Sequence, residues 1–128
     1  PFRLADVAAA VWSQRRIEHR LARTSFQTVL VELRHLAEQR TQDDSMKFRS
    51  GPTVRAFEHA RLLRSAADRC LPRSIALKLR LAKLRHRTHL VIGVKDRPFG
   101  AHAWVQHGDI VLNDSLEEVR RYTPILII

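Results

Sequence analysis

The chain has 128 residues, enough for one domain or one domain with a small helical annex. Hydrophobic residues make up 45% and charged residues 28%, which excludes global disorder, and no apolar run approaches the roughly 18 residues of a membrane span. Lys and Arg total 23 against 13 Asp and Glu, a formal charge of +10 that favours acidic partners, while a single cysteine excludes an intramolecular disulfide framework and a Cys-rich zinc module.

The basic residues are scattered and do not interleave with the aromatic ones as a stacking platform would, so nucleic acid is not an expected partner. No metal site or cofactor is expected. The chain begins at Pro1 without an initiator Met or a signal-peptide pattern, so a fragment or processed product, located in the cytoplasm, is expected.

Residues 3 to 22 read as a helix, with Leu4, Val7, Ala8, Val11 and Trp12 at helical spacing. Thr24 and Ser25 offer an N-cap for a second helix to about residue 39, with Phe26, Val29, Leu30, Leu33, Leu36 and Ala37 on its apolar face. Turn formers over 40 to 51 predict a linker. Pro52 suits the start of a third helix to about Ala67. The expected division is a helical region and linker over 1–51 and a second unit over 52–128.

Pro72 disfavours helical geometry at Leu71 and suits the first turn of a new helix, predicted over about 71 to 86. Leu71, Ile75, Leu79 and Ala82 form one stripe on it, and Leu77, Leu81 and Leu84 another. A helix with two apolar faces must be covered on both sides, so it belongs at the centre of the domain. From residue 88 the period changes. Residues 88 to 94, 101 to 106, 110 to 114 and 122 to 128 read as strands, with a helical turn or loop over 115 to 121. Helices followed by a small antiparallel sheet define the α+β class.

Cys70 lies at the N-terminus of the central helix, where free N–H groups and the helix dipole favour a thiolate, and Arg69 and Arg73 add positive charge. Position alone leaves open a small buried hydrophobe. His102 lies within a strand, and Asp114 lies on the neighbouring one. Gly108 is midway between them, so both side chains share a face provided that a three-residue loop or bulge surrounds His107-Gly108-Asp109; a plain two-residue turn would separate them. Cys70, His102 and Asp114 have the chemistry of a nucleophile, a proton carrier and an orienting carboxylate, with the Cys70 N–H available to an oxyanion. Trp104 lies beside His102, where site lining and core packing are both open. Arg69 and Arg73 are candidate substrate contacts or parts of a solvated face.

Arg69-Cys70-Leu71-Pro72-Arg73-Ser74, Leu90-Val91-Ile92-Gly93-Val94, Phe99-Gly100-Ala101-His102-Ala103-Trp104-Val105 and Val111-Leu112-Asn113-Asp114, in that order, resemble the lasso peptide maturation proteases, the "B" proteins of lasso peptide biosynthesis. The resemblance covers about residues 53 to 128. It implies a transglutaminase-like, broadly papain-like cysteine protease domain, with Cys70 as nucleophile, His102 as general base and acid, and Asp114 as orienting carboxylate. It further implies removal of the leader from a ribosomally made precursor peptide. The implied partners are that precursor, a leader-binding recognition domain or protein, and an asparagine-synthetase-like cyclase. No β-rich recognition domain is legible ahead of residue 53. A basic helical nucleic-acid- or protein-binding module without catalysis, and a transglutaminase-like acyltransferase, are the alternative readings.

Overall fold

The computed structural model describes residues 3–37, 51–63 and 69–128. Helix α1 spans Leu4–Arg23, α2 Phe26–Ala37, α3 Gly51–Leu63 and α4 Cys70–Lys83. They are followed by β1 (His89–Lys95), β2 (Gly100–His107), β3 (Ile110–Val111), a one-turn helix α5 (Leu116–Val119) and β4 (Thr123–Ile127). The strands form one antiparallel sheet in the order β3-β2-β1-β4. The chain is therefore α+β, helices first, as the change of period predicts. The expected linker residues 40 to 50, the continuation of α3 to Ala67, and the side chains of Leu36 and Ala37 lie outside the described residues.

Each helix forms for a visible reason. The Asp6 carboxylate takes the Arg3 N–H at 3.3 Å at the start of α1, where negative charge suits the dipole. Ser25 Oγ accepts the Thr28 N–H at 3.3 Å, the expected cap of α2. Val7, Ala10 and Ile17 of α1 share one core with Val29 and Leu33 of α2, Ala56 and Phe57 of α3, and Ile75 and Leu77 of α4.

Arg73 to Lys78 are six consecutive buried residues of α4, more than one and a half turns, so this stretch of the helix is enclosed on all sides, as its two apolar stripes require. Left-handed Arg85, at φ 63°, ends it, and the His86 N–H reaches back to the Leu81 carbonyl at 2.9 Å. Leu90, Ala103 and Val105 of the sheet face α4. Val91 and Trp104 point to the opposite face, where Val119 and Tyr122 cover them.

The hairpin departs from expectation. Gln106 pairs with Val111 and His107 with Ile110 across a two-residue turn, with Gly108 at φ +56°. There is no three-residue loop or bulge, and β3 ends at Val111 rather than at Asp114. The Leu112 N–H still reaches the Val105 carbonyl at 2.9 Å. The next ladder position is taken by a side chain, because Asn113 Oδ1 accepts the Val105 N–H at 2.8 Å. The chain leaves the ladder there, and Asp114 is freed from the facing rule that a regular strand would impose.

One buried cation marks the junction of α4 and β1. Lys78 Nζ donates to the Thr88 carbonyl, and burial, with a smaller effect of Arg87, lowers its ammonium to about 8 from 10.5. Between those pH values the unfolded chain binds more protons, so native stability rises with pH; as pH falls through 8 that contribution is lost. Denaturant titrations of the wild type and Lys78→Met at pH 8 and at pH 10.5 should show the wild type gaining on the order of 2 to 3 kcal/mol over the variant. A pH-independent difference would contradict a desolvated ammonium.

Candidate active site

The site is built on an unpaired stretch of sheet edge. Strand β3 bonds only to the far end of β2, leaving the Gly100–Trp104 edge without a strand neighbour on that side. The first turns of α4 occupy the place. Ser74 Oγ donates to the Ala103 carbonyl at 3.1 Å, and the Ala103 N–H faces the Cys70 sulfur. Asn113 Nδ2 donates to Ser74 Oγ at 2.9 Å while its Oδ1 holds the Val105 N–H. Both side chains are buried. These bonds join α4, β2 and the segment after β3, and they satisfy backbone groups that an open edge would otherwise leave unpaired.

Cys70, His102 and Asp114 meet at this junction. Cys70 is the first residue of α4 and half-buried. His102 projects from β2 and hydrogen-bonds both Cys70 and Asp114. Its Nε2 is held by Asp114 Oδ2, so Nδ1 is the nitrogen available to the sulfur. The other Asp114 oxygen, Oδ1, accepts the Ser115 N–H at 2.8 Å, which fixes the carboxylate.

The imidazole is backed by rings. Tyr122 lies 5.2 Å and Trp104 5.9 Å from it between centroids. Gly93 sits opposite His102 on β1, and a Cβ there would come within 2.9 Å of Tyr122 Cβ and 3.0 Å of the Trp104 ring. Only glycine lets this cluster close over the strand.

The electrostatics favour a charge-separated pair. Burial pushes the Cys70 thiol up, but the His102 hydrogen bond, the Ala103 N–H and the positive charges of His102 and Arg73 together bring it below its ordinary value. His102 is raised above an ordinary imidazole, first by its bond to Cys70, against burial and with help from Asp114. Both shifts favour thiolate with imidazolium. Among the described residues no group of three His, Cys, Asp or Glu side chains could hold a metal ion.

The three expected contact residues have other engagements. Trp104 is 2% exposed, and its Nε1 donates to Gln106 at 2.9 Å. It supports His102 from within and offers a ligand no face. Arg69 pairs with Glu18 of α1 at 3.5 Å. Arg73 is buried, with its charge felt by Cys70 and Asp114. Ser74, Asn113, Gly93 and Tyr122 are the supporting residues that residue-type reasoning passes over. Ser74 carries one signal: it is the one small hydroxyl residue of α4 and lies one turn after Cys70.

Residues 11–127 match the transglutaminase-like superfamily, and the chain belongs to it. Over 46 residues it is 48% identical to the microcin J25-processing protein McjB of Escherichia coli, a match covering 36% of this chain and 22% of that relative's length. No solved structure matches.

Two measurements probe the site directly. Ser74→Ala or Asn113→Ala should each cost about 1–3 kcal/mol in denaturant unfolding, because each leaves buried partners unmet, and the double variant should cost less than their sum. The rate of Cys70 alkylation by iodoacetamide should fall only as pH drops through the lowered thiol value. In His102→Ala the whole profile should move to higher pH; an unmoved profile would remove the imidazole from the sulfur's surroundings.

Proposed function

We propose that the chain is a cysteine peptidase that removes the leader from a ribosomally made precursor peptide during lasso peptide maturation. The observation that carries this reading is the convergence of the Cys70 sulfur, the His102 imidazole and the Asp114 carboxylate in a member of the transglutaminase-like superfamily. The match to a microcin-processing protein supports a peptide as the thing processed.

The Cys70 thiolate attacks the carbonyl carbon of the leader's last peptide bond. The developing oxyanion meets the Cys70 N–H at the start of α4, where the helix dipole favours negative charge. His102 gives its proton to the departing amine of the core peptide, leaving the leader as an acyl-enzyme. It then takes a proton from water as water attacks, and the sulfur leaves as thiolate. Asp114 keeps Nδ1 turned to the sulfur and stabilises the imidazolium. Arg73 holds positive charge near the thiolate, and Arg69 braces the start of α4 through Glu18. The enzyme acts in the bacterial cytoplasm, with a leader-binding recognition protein or domain presenting the precursor and an asparagine-synthetase-like cyclase using the freed core.

Mass spectrometry of a candidate precursor, incubated with this chain and a leader-binding partner, tests the reading. Leader and core should appear as two hydrolysed products. Cys70→Ala should abolish cleavage while circular dichroism stays native, and Asp114→Ala should slow it by roughly 10²–10⁴-fold. Undiminished cleavage by Cys70→Ala would overturn the assignment of the nucleophile, and a product joined to an added amine would indicate acyl transfer instead.

A further inference from the structure

A groove of about 350 Å³ runs between α1, α2 and α4. Leu79, in its floor, lies about two and a half turns beyond Cys70 and so on the opposite side of α4 from the sulfur. The groove is therefore separate from the reactive residues. Its floor is aliphatic, made by Ile17, Ala76 and Leu79. Its rim is cationic: Arg16 on α1 faces Arg80 and Lys83 on α4, and none of the three has an ion-pair partner among the described residues. Arg20 and Glu32 pair with each other and tie α1 to α2 at the groove.

Trp12 is the second observation. It lines the groove, yet the residue is 61% exposed. Arg16 one turn on sits 4.8 Å over the ring centroid and restrains it. A large aromatic surface beside an aliphatic floor and a rim of three cations suits a ligand carrying apolar side chains and carboxylates together. A nucleic-acid strand would match the rim but leave the floor uncovered, with one ring rather than a row on which to stack. The stretch from Ala76 to Lys83 is roughly 10 Å long, matching about two turns of helix.

We infer that this groove docks a short acidic peptide segment of a partner protein, seating its apolar side chains on Ile17, Ala76, Leu79 and Trp12 and its carboxylates on Arg16, Arg80 and Lys83. Docking there leaves Cys70 and His102 free for a different peptide.

Tryptophan emission tests this without any cleavage, so failure leaves the peptidase reading intact. Trp12 is exposed and Trp104 buried, so a ligand in the groove reports chiefly through Trp12. The probe is a synthetic amphipathic peptide of leucine and glutamate, compared with its leucine–lysine counterpart and with oligothymidylate. The acidic peptide should shift the emission to the blue saturably, and Trp12→Phe should remove the shift. Its affinity, followed by anisotropy of a labelled copy, should fall about tenfold or more in Arg80→Glu/Lys83→Glu. Lys83→Gln, a milder change at an exposed site, should give a smaller loss in the same direction. The proposal is overturned if the acidic peptide gives no saturable shift, if the lysine peptide binds equally, or if these variants leave affinity unchanged. Tighter binding of oligothymidylate that survives Trp12→Ala also overturns it.

Discussion

The hydrogen bond from Ser74 to the Ala103 carbonyl is the contact on which the arrangement turns. A sheet edge must be satisfied by something, and β3 is too short to reach the upper part of β2. The first turns of α4 meet that demand with a serine, and Asn113 locks the serine from the far side. Cys70, one turn before Ser74, is thereby brought against the same edge. Asp114, one residue after Asn113, is delivered to His102. One small polar network thus sets the position of two of the three side chains that meet here, and β2 itself carries the third.

Burial and polarity work against each other at the sulfur, and the outcome depends on the neighbours. A half-buried thiol alone would hold its proton more tightly. Here an imidazole, a backbone N–H and a buried guanidinium all face it, and they outweigh desolvation. Arg73 therefore matters through its charge at a distance, whatever it touches. Enclosing α4 from Arg73 to Lys78 keeps these groups from being diluted by water, which would screen them. The central placement of the helix and the lowered thiol value of its first residue are two results of the same packing.

Much of this was legible in the residues. Helical spacing located α1 and α2, Ser25 announced a cap, and the two stripes of α4 required a buried helix. Pro72 placed Cys70 at the start of α4. The partnership of His102 with Asp114 was legible too, but by a route the structure does not take. Strand pairing required a three-residue loop, whereas the hairpin has two residues and the strand simply stops. Residue types do not report that a side-chain amide can take over a ladder position, as Asn113 does, and so a regular strand was the natural expectation. Ser74 and Tyr122 were opaque for a related reason, since their importance comes only from what the fold sets beside them. Trp104 illustrates the converse: adjacency to His102 in the strand correctly implied proximity, but its burial depends on Tyr122 and on Gly93 across the sheet.

Gly93 carries a consequence for how such a sequence can drift. It touches no reactive atom and sits in an ordinary-looking run of Leu, Val and Ile. Yet a single methyl group there would collide with the Trp104 ring and with the Tyr122 side chain at its Cβ, the two residues that back the imidazole. A saturation library read by folding alone would rank this position among many moderately sensitive ones. Read by the pH profile of Cys70 alkylation, it would stand out, because a shift of a few tenths of an ångström in the rings is passed straight to the His102 ring. The strand's blandest residue is in this sense the keel of the imidazole.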